Sequence, residues 1–333
     1  MRMCLYMFPP KPDRAILQDG DGGVHDGAPD FAMCKPGPPL EPHTGMRHSQ
    51  GTFPPESTMI RLARLFAFCA VVGVASPAVA QPLMQLCRPV VTGASVALPA
   101  AYVPGDLPQG DAAAFLAGET DDCPQCDLKG AQLQRRDLSG ADLRGADLSG
   151  ASLHRARLLE TQLDGANLAG ANLNLADLKG ASLLAADLRG ALLYRADLSR
   201  AHLGDADLSG ARLQNARLGQ AEMWRTRFTG ALAMATNLSA ANLRGADLQL
   251  ANFQGADFQR SDLRDASLTN GGFIGANFSS ANLAQVSAFN ADFLDADFLN
   301  ARMANADLRN VRFDGAILTC VEFQNAILGR VQF

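Results

Sequence analysis

Ala141-Asp142-Leu143-Arg144-Gly145-Ala146-Asp147-Leu148-Ser149-Gly150 is one five-residue unit written twice. Each copy runs small, short polar, large apolar, variable, and then a residue suited to a bend. The same order holds from Leu128 to Phe333 without a frame shift, about 42 units. Only Ala233 and Ala288 stand where a large apolar residue is expected, and they should thin the core at two places.

A period of five fits neither ordinary element. In a helix, at about 100° per residue, a step of five scatters the leucines around the axis. In a flat strand an odd step sends successive leucines to opposite faces. A chain that bends after every unit buries them all on one axis. The small residue two places before the centre then also points inward. Gly140, Gly145, Gly170 and Asn215 stand at the bends, where their types tolerate corner geometry. The Asp or Asn before the centre points outward and can bond nearby backbone groups.

The number of sides is readable too. Phe253, Phe273, Phe293, Phe313 and Phe333 recur every twenty residues, as do Phe258, Phe278 and Phe298. Four units per coil stack each series on one interior side, whereas three or five would scatter it. About ten coils follow, a rod on the order of 50 Å long at the strand spacing of about 4.8 Å. One coil alone would not fold; its neighbours complete its core and its backbone bonding.

With this pattern the tract resembles the pentapeptide-repeat family, whose motif is A(D/N)LXX with Leu or Phe at the centre. The resemblance covers residues 128–333 and implies an all-β fold, a right-handed quadrilateral β-helix. Cys123-Pro124-Gln125-Cys126-Asp127-Leu128 resembles the C-x-x-C-x-L segment that opens the repeats in many exported or cyanobacterial members.

The chain divides accordingly. Residues 1–58, rich in Pro, Gly and Asp without apolar periodicity, read as disordered or as an upstream extension wrongly assigned to the protein. Residues 59–80 read as a signal peptide: Arg61 and Arg64, an apolar run from Leu65 to Val74, then Ala78-Val79-Ala80, with cleavage expected between Ala80 and Gln81. That run is too short for stable membrane insertion. Residues 81–126 form a short N-terminal cap, in which Asp111 N-caps a helical turn or two and Phe115 and Leu116 face inward. Residues 127–333 are the solenoid. The expected location is periplasmic or secreted.

Candidate chemistry is sparse. A second cysteine pair for zinc is missing, and nothing suggests a thioredoxin-like βαβ unit. A structural disulfide among Cys87, Cys123 and Cys126 is expected, with the pairing open. Cys320 should face outward, as a free thiol, an intermolecular link or a plain surface cysteine. The aspartates repeat at one position and read as a solvated ladder, not as an acid–base pair or a calcium site. His154 and His202 read as isolated surface residues. No metal or cofactor is expected, and no catalytic set.

The net charge of −5 is mild, and acidic and basic residues nearly cancel in the repeats. No unbroken stripe of either sign appears when residues are aligned by twenty. Nucleic acid binding is therefore not expected. Some cytoplasmic family members resemble B-form DNA through a strongly acidic dimeric rod and bind type II topoisomerases; a near-neutral, exported rod argues against that alternative. The favoured function is a non-enzymatic structural or protein-interaction scaffold with an unknown protein partner. Met223, Trp224 and Arg225 are the expected partner patch, with Trp224 as an exposed anchor. Phe313, Phe323, Leu328 and Phe333 are the expected end of a homodimer joined through the last coil.

Overall fold

A β-turn closes every repeat and sets the architecture. In Leu128–Ala131 the Ala131 N–H donates to the Leu128 carbonyl at 3.0 Å, and Gly130 takes a φ of +67°. This is a type II turn, which requires positive φ at its third residue. Positive φ recurs at every fifth residue from Gln125 to Arg330, including Leu175 at 61° and Leu250 at 58°. A residue with a Cβ in this conformation costs about 1–2 kcal/mol, less for Asn and Asp. Here the ladder on either side imposes the corner whatever residue occupies it.

The computed structural model describes residues 105–333 and the two-residue strand β1 (Arg2–Met3). The signal segment 59–80 and Cys87 lie outside the described residues. Parallel bridges join residues twenty apart, from Asp127↔Asp147 to Arg312↔Gln332. Between coils, Leu128 N–H donates to Asp147 O and Asp147 N–H to Cys126 O, both at 2.8 Å. Four units therefore make one turn of a right-handed, four-sided β-helix. We number its sides by their central residues: side 1 through Leu128 and Leu148, side 2 through Leu133 and Leu153, side 3 through Leu138 and Leu158, side 4 through Leu143 and Leu163.

The centres fill the interior. Nearly all from Leu128 to Phe313, together with the alanines two places before them, are at most 2% exposed. Phe253, Phe273, Phe293, Phe313 and Phe333 stack on side 2 with ring centroids 5.2–6.0 Å apart. Phe258, Phe278 and Phe298 stack on side 3 at 4.7 and 4.9 Å. Edge contacts such as Phe278–Phe293 at 5.6 Å knit the two stacks together. Ala233 is fully buried, and near it Phe228 and Phe253 meet edge-on at 5.9 Å.

Exceptions to alanine are accommodated locally. Thr161, Thr226 and Thr236 are buried, and their hydroxyls donate to the carbonyls of Leu138, Leu203 and Leu213 in the preceding coil. Gly271 replaces alanine beside Phe273, whose ring a Cβ there would strike.

The N-terminal end carries helix α1 (Ala112–Ala117). The Asp111 carboxylate accepts from the N–H groups of Ala113 and Ala114, and Gly118 closes the helix in the left-handed conformation. Phe115 is buried beneath the Arg136 guanidinium, 4.2 Å from the ring centroid. Leu116, expected to share that buried face, is 53% exposed. On so short a helix it stands about 100° from Phe115, and only one of them can reach the first coil. Cys123 and Cys126 are joined by a disulfide. Gly110 packs so closely on it that a Cβ would meet Cys126 Sγ. At the other end, β1 pairs antiparallel with β2 (Val321–Glu322).

Candidate functional site

Because the interior is filled, recognition chemistry lies on the outer sides. Many outward carboxylates are held within their own repeat, by a neighbouring coil, or by both. Within a repeat, Asp147 Oδ1 accepts from the Ser149 N–H at 2.9 Å, and Asp187 Oδ1 from the Arg189 N–H at 3.0 Å. Arg144, Arg189 and Arg309 add side-chain bonds to Asp142, Asp187 and Asp307. These bonds hold the three carboxyls below the ordinary Asp value. Between coils, Arg157 meets Asp137, Arg225 meets Asp205 and Arg227 meets Asp207 at 2.6–2.9 Å. The aspartate ladder is thus largely an acid–arginine ladder.

Side 2 departs from this arrangement. Between Ala131 and Gly275 its outward positions carry Arg135, Arg155, Arg195 and Arg212 and no Asp or Glu. All four arginines are exposed, and none is in an ion pair among the described residues. Tyr194 and Leu232 stand among them, 44% and 38% exposed. Acidic residues return to this side only at Asp292, Asp295 and Asp314, where Arg312 pairs with Asp292 at 2.7 Å. The overall charge balance conceals this segregation. Its sequence signal was present: the side that holds Arg135, Arg155 and Arg195 in register lacks the acidic residue found before or after the centre on other sides.

Side 3 carries a shallow open groove of about 690 Å³ between Glu160 and Arg260. Small residues, Ser199, Gly219 and Ser239, form its floor. Lys179 at its edge is held between Asp177 and Asp197, at 3.1 and 3.4 Å.

The expected partner patch does not exist as a surface. Met223 is a core residue at 0% exposure, and Trp224 is only 4% exposed. The Trp224 ring lies over Gly204, one coil earlier, where a Cβ would collide with it. The Arg225 guanidinium covers the ring at 4.5 Å while bonding Asp205. Sequence position placed Trp224 outward; the missing side chain at Gly204 let it lie flat.

Other expected residues are redistributed. Of the end set, Phe313 is 2% exposed beneath Phe333, whereas Phe323 and Leu328 are half-buried against the core and Phe333 is 56% exposed. Cys320 is not an outward free thiol: it is 6% exposed and disulfide-bonded. His202 is not isolated, since its Nδ1 lies 3.2 Å from Glu222 Oε2 on the next coil. Among the described residues no cluster of three His, Cys, Asp or Glu side chains could hold a metal, and no helix is long and apolar enough to cross a membrane.

A family model described as pentapeptide repeats, in eight copies, matches residues 126–158, 156–193, 196–232, 234–270 and 296–333, together more than half of the chain. Among solved structures the chain is similar to HetL, a pentapeptide repeat protein involved in heterocyst differentiation regulation in the cyanobacterium Nostoc sp. strain PCC 7120. That match has 29% identity and a TM-score of 0.27, covering 65% of this chain and 94% of HetL. QnrB1, a plasmid-mediated fluoroquinolone resistance protein, matches at 18% identity and a TM-score of 0.23, over 55% of this chain and 91% of QnrB1. A pentapeptide repeat protein of the Arabidopsis thaliana thylakoid lumen matches at 24% identity and a TM-score of 0.18, over 32% of this chain and 63% of that one. No curated protein sequence matches the chain.

Proposed function

Since the chain belongs to the pentapeptide-repeat family, we propose that it is a non-enzymatic protein-interaction scaffold working outside the cytoplasm. The observation that carries this reading is the filled interior. With the central residues and their alanines almost wholly buried, a partner is met on flat outer sides by side chains fixed at intervals of one coil. Preorganised side chains lower the entropic cost of binding.

Export is supported by the sequence from Met59 to Ala80 and by the Cys123–Cys126 disulfide, since such bonds persist in oxidising compartments. A DNA mimic needs a strong negative field. Here arginines neutralise much of the acidic ladder, and part of side 2 is basic, which argues against that alternative. Fractionation with N-terminal sequencing tests the location. A mature chain beginning at Gln81 outside the cytoplasm is expected, and a cytoplasmic form retaining residues 1–58 would sink the proposal. We also infer end-to-end association through Phe323, Leu328 and Phe333. Light scattering should then give a dimer that Phe333→Asp dissociates; a monomer at high concentration refutes it.

A further inference from the structure

We propose that the N-terminal half of side 2, from Arg135 to Leu232, is the docking surface of this scaffold and binds an acidic protein segment that also carries apolar side chains. The proposal deepens the scaffold reading and rests on it for its biological meaning, but a purified chain tests it wherever the protein resides.

Charge comes first. Arginine elsewhere on the rod mostly faces a carboxylate of its own or the next coil, as Arg189 does Asp187 and Arg227 does Asp207. Arg135, Arg155, Arg195 and Arg212 have no such partner among the described residues. Four like charges on one face, at steps of about 4.8 Å or its multiples, repel one another and attract carboxylates. The segregation is specific to this stretch, because the whole rod stays near neutrality. A carboxylate brought to these arginines can be held by two parallel N–H bonds, as the fork geometry of guanidinium allows.

The neighbouring side chains narrow the partner. Tyr194 is exposed beside Arg195 and Leu232 one coil beyond Arg212, with Leu192 and Met234 half-buried near them. Arginine and tyrosine around a small apolar centre is the composition of protein interface hot spots. The chain's net charge of −5 works against a dense polyanion such as nucleic acid. It matters less to a short acidic segment, whose contacts are local at ordinary salt. Side 2 of a second copy offers little: its acidic residues are Asp292, Asp295 and Asp314, the first and last both paired with Arg312.

The test uses the purified full chain with two labelled short probes, an oligo-L-glutamate and a glutamate–tyrosine copolymer of the same length, followed by fluorescence anisotropy. Both should bind at low salt and weaken as salt rises, the copolymer more tightly. Arg155→Glu with Arg195→Glu should lower affinity about tenfold or more, and Tyr194→Ala should remove the copolymer's advantage. Arg260→Glu with Arg330→Glu makes the same charge change off side 2 and should leave binding unchanged. Melting curves verify folding, and Arg155→Gln with Arg195→Gln replaces the reversal variant if that one unfolds. Absence of glutamate binding at low salt overturns the proposal, as does an equal loss in the control pair. Tighter binding of oligothymidylate, or of phosphatidylglycerol vesicles, than of the copolymer overturns the assignment to a protein segment. Failure of export with intact copolymer binding would overturn the location alone.

Discussion

The two halves of the rod use one five-residue frame with different materials. From Leu128 to Leu218 every centre is leucine, the bends are often glycine or arginine, and carboxylates are drawn down by serine or arginine at Asp137, Asp142, Asp147, Asp187, Asp197 and Asp207. From Phe253 to Phe313 two phenylalanine stacks fill two sides, and asparagine holds the bends at 270, 290, 300, 305 and 310. Each coil touches only its neighbours, so a locally matched change leaves the frame alone. Phe273 is admitted by Gly271, where a Cβ would strike the ring.

The largest expected effect tests whether the aromatic half is more tightly coupled. Phe278→Ala should cost about 3–5 kcal/mol, since it opens a cavity between stacked rings at 4.7 and 4.9 Å. Leu178→Ala, on the same side among leucines, should cost less by roughly the 0.5–1.5 kcal/mol of an aromatic pair. Equal losses in denaturant unfolding would mean that the stacks add nothing beyond volume.

A smaller effect concerns Gly204, which lets Trp224 lie flat. Gly204→Ala should cost roughly 1–3 kcal/mol by overpacking and shift the emission of the chain's one tryptophan to the red. Gly219→Ala is the matched control, because its new methyl group would meet nothing closer than 3.5 Å. An unshifted emission in the first variant would mean that Trp224 does not depend on Gly204.

Smaller still, Leu250→Gly should stabilise the rod by about 1 kcal/mol, relieving the left-handed conformation of a residue 63% exposed. Asn270→Gly should gain less, since asparagine enters that region more readily. A loss at Leu250 would show that its side chain contributes more than its bend costs.

Acid gives the mildest contrast. Carboxyls held below their ordinary value of 3.8 contribute stability above that pH and lose it as pH falls through their depressed values. Six such groups lie in the leucine half, against Asp307 beyond it. Hydrogen exchange should therefore rise first between Asp137 and Asp207 as pH drops below about 4. Simultaneous opening of both halves would count against this.

Much of the molecule was legible before any coordinates. The burial pattern is strictly periodic, and only a bend every five residues can bury it, so Leu143 and Leu148 already imply adjoining sides of one coil. The twenty-residue phenylalanine series supplied the four sides, and Asp111 announced the small helix of the cap.

The frame, the coil and the contents of the core follow from local alternation repeated in register, so they can be read along the chain. The surface emerges when the coils are stacked, because a side chain's fate there depends on the residue one coil away. Trp224 is buried because position 204 lacks a Cβ, Cys123 bonds Cys126 at the cap, and the arginines of side 2 stand exposed because no carboxylate lies above or below them. A linear reading weighs each residue by its own type, whereas the surface of a solenoid is made of neighbours twenty residues apart.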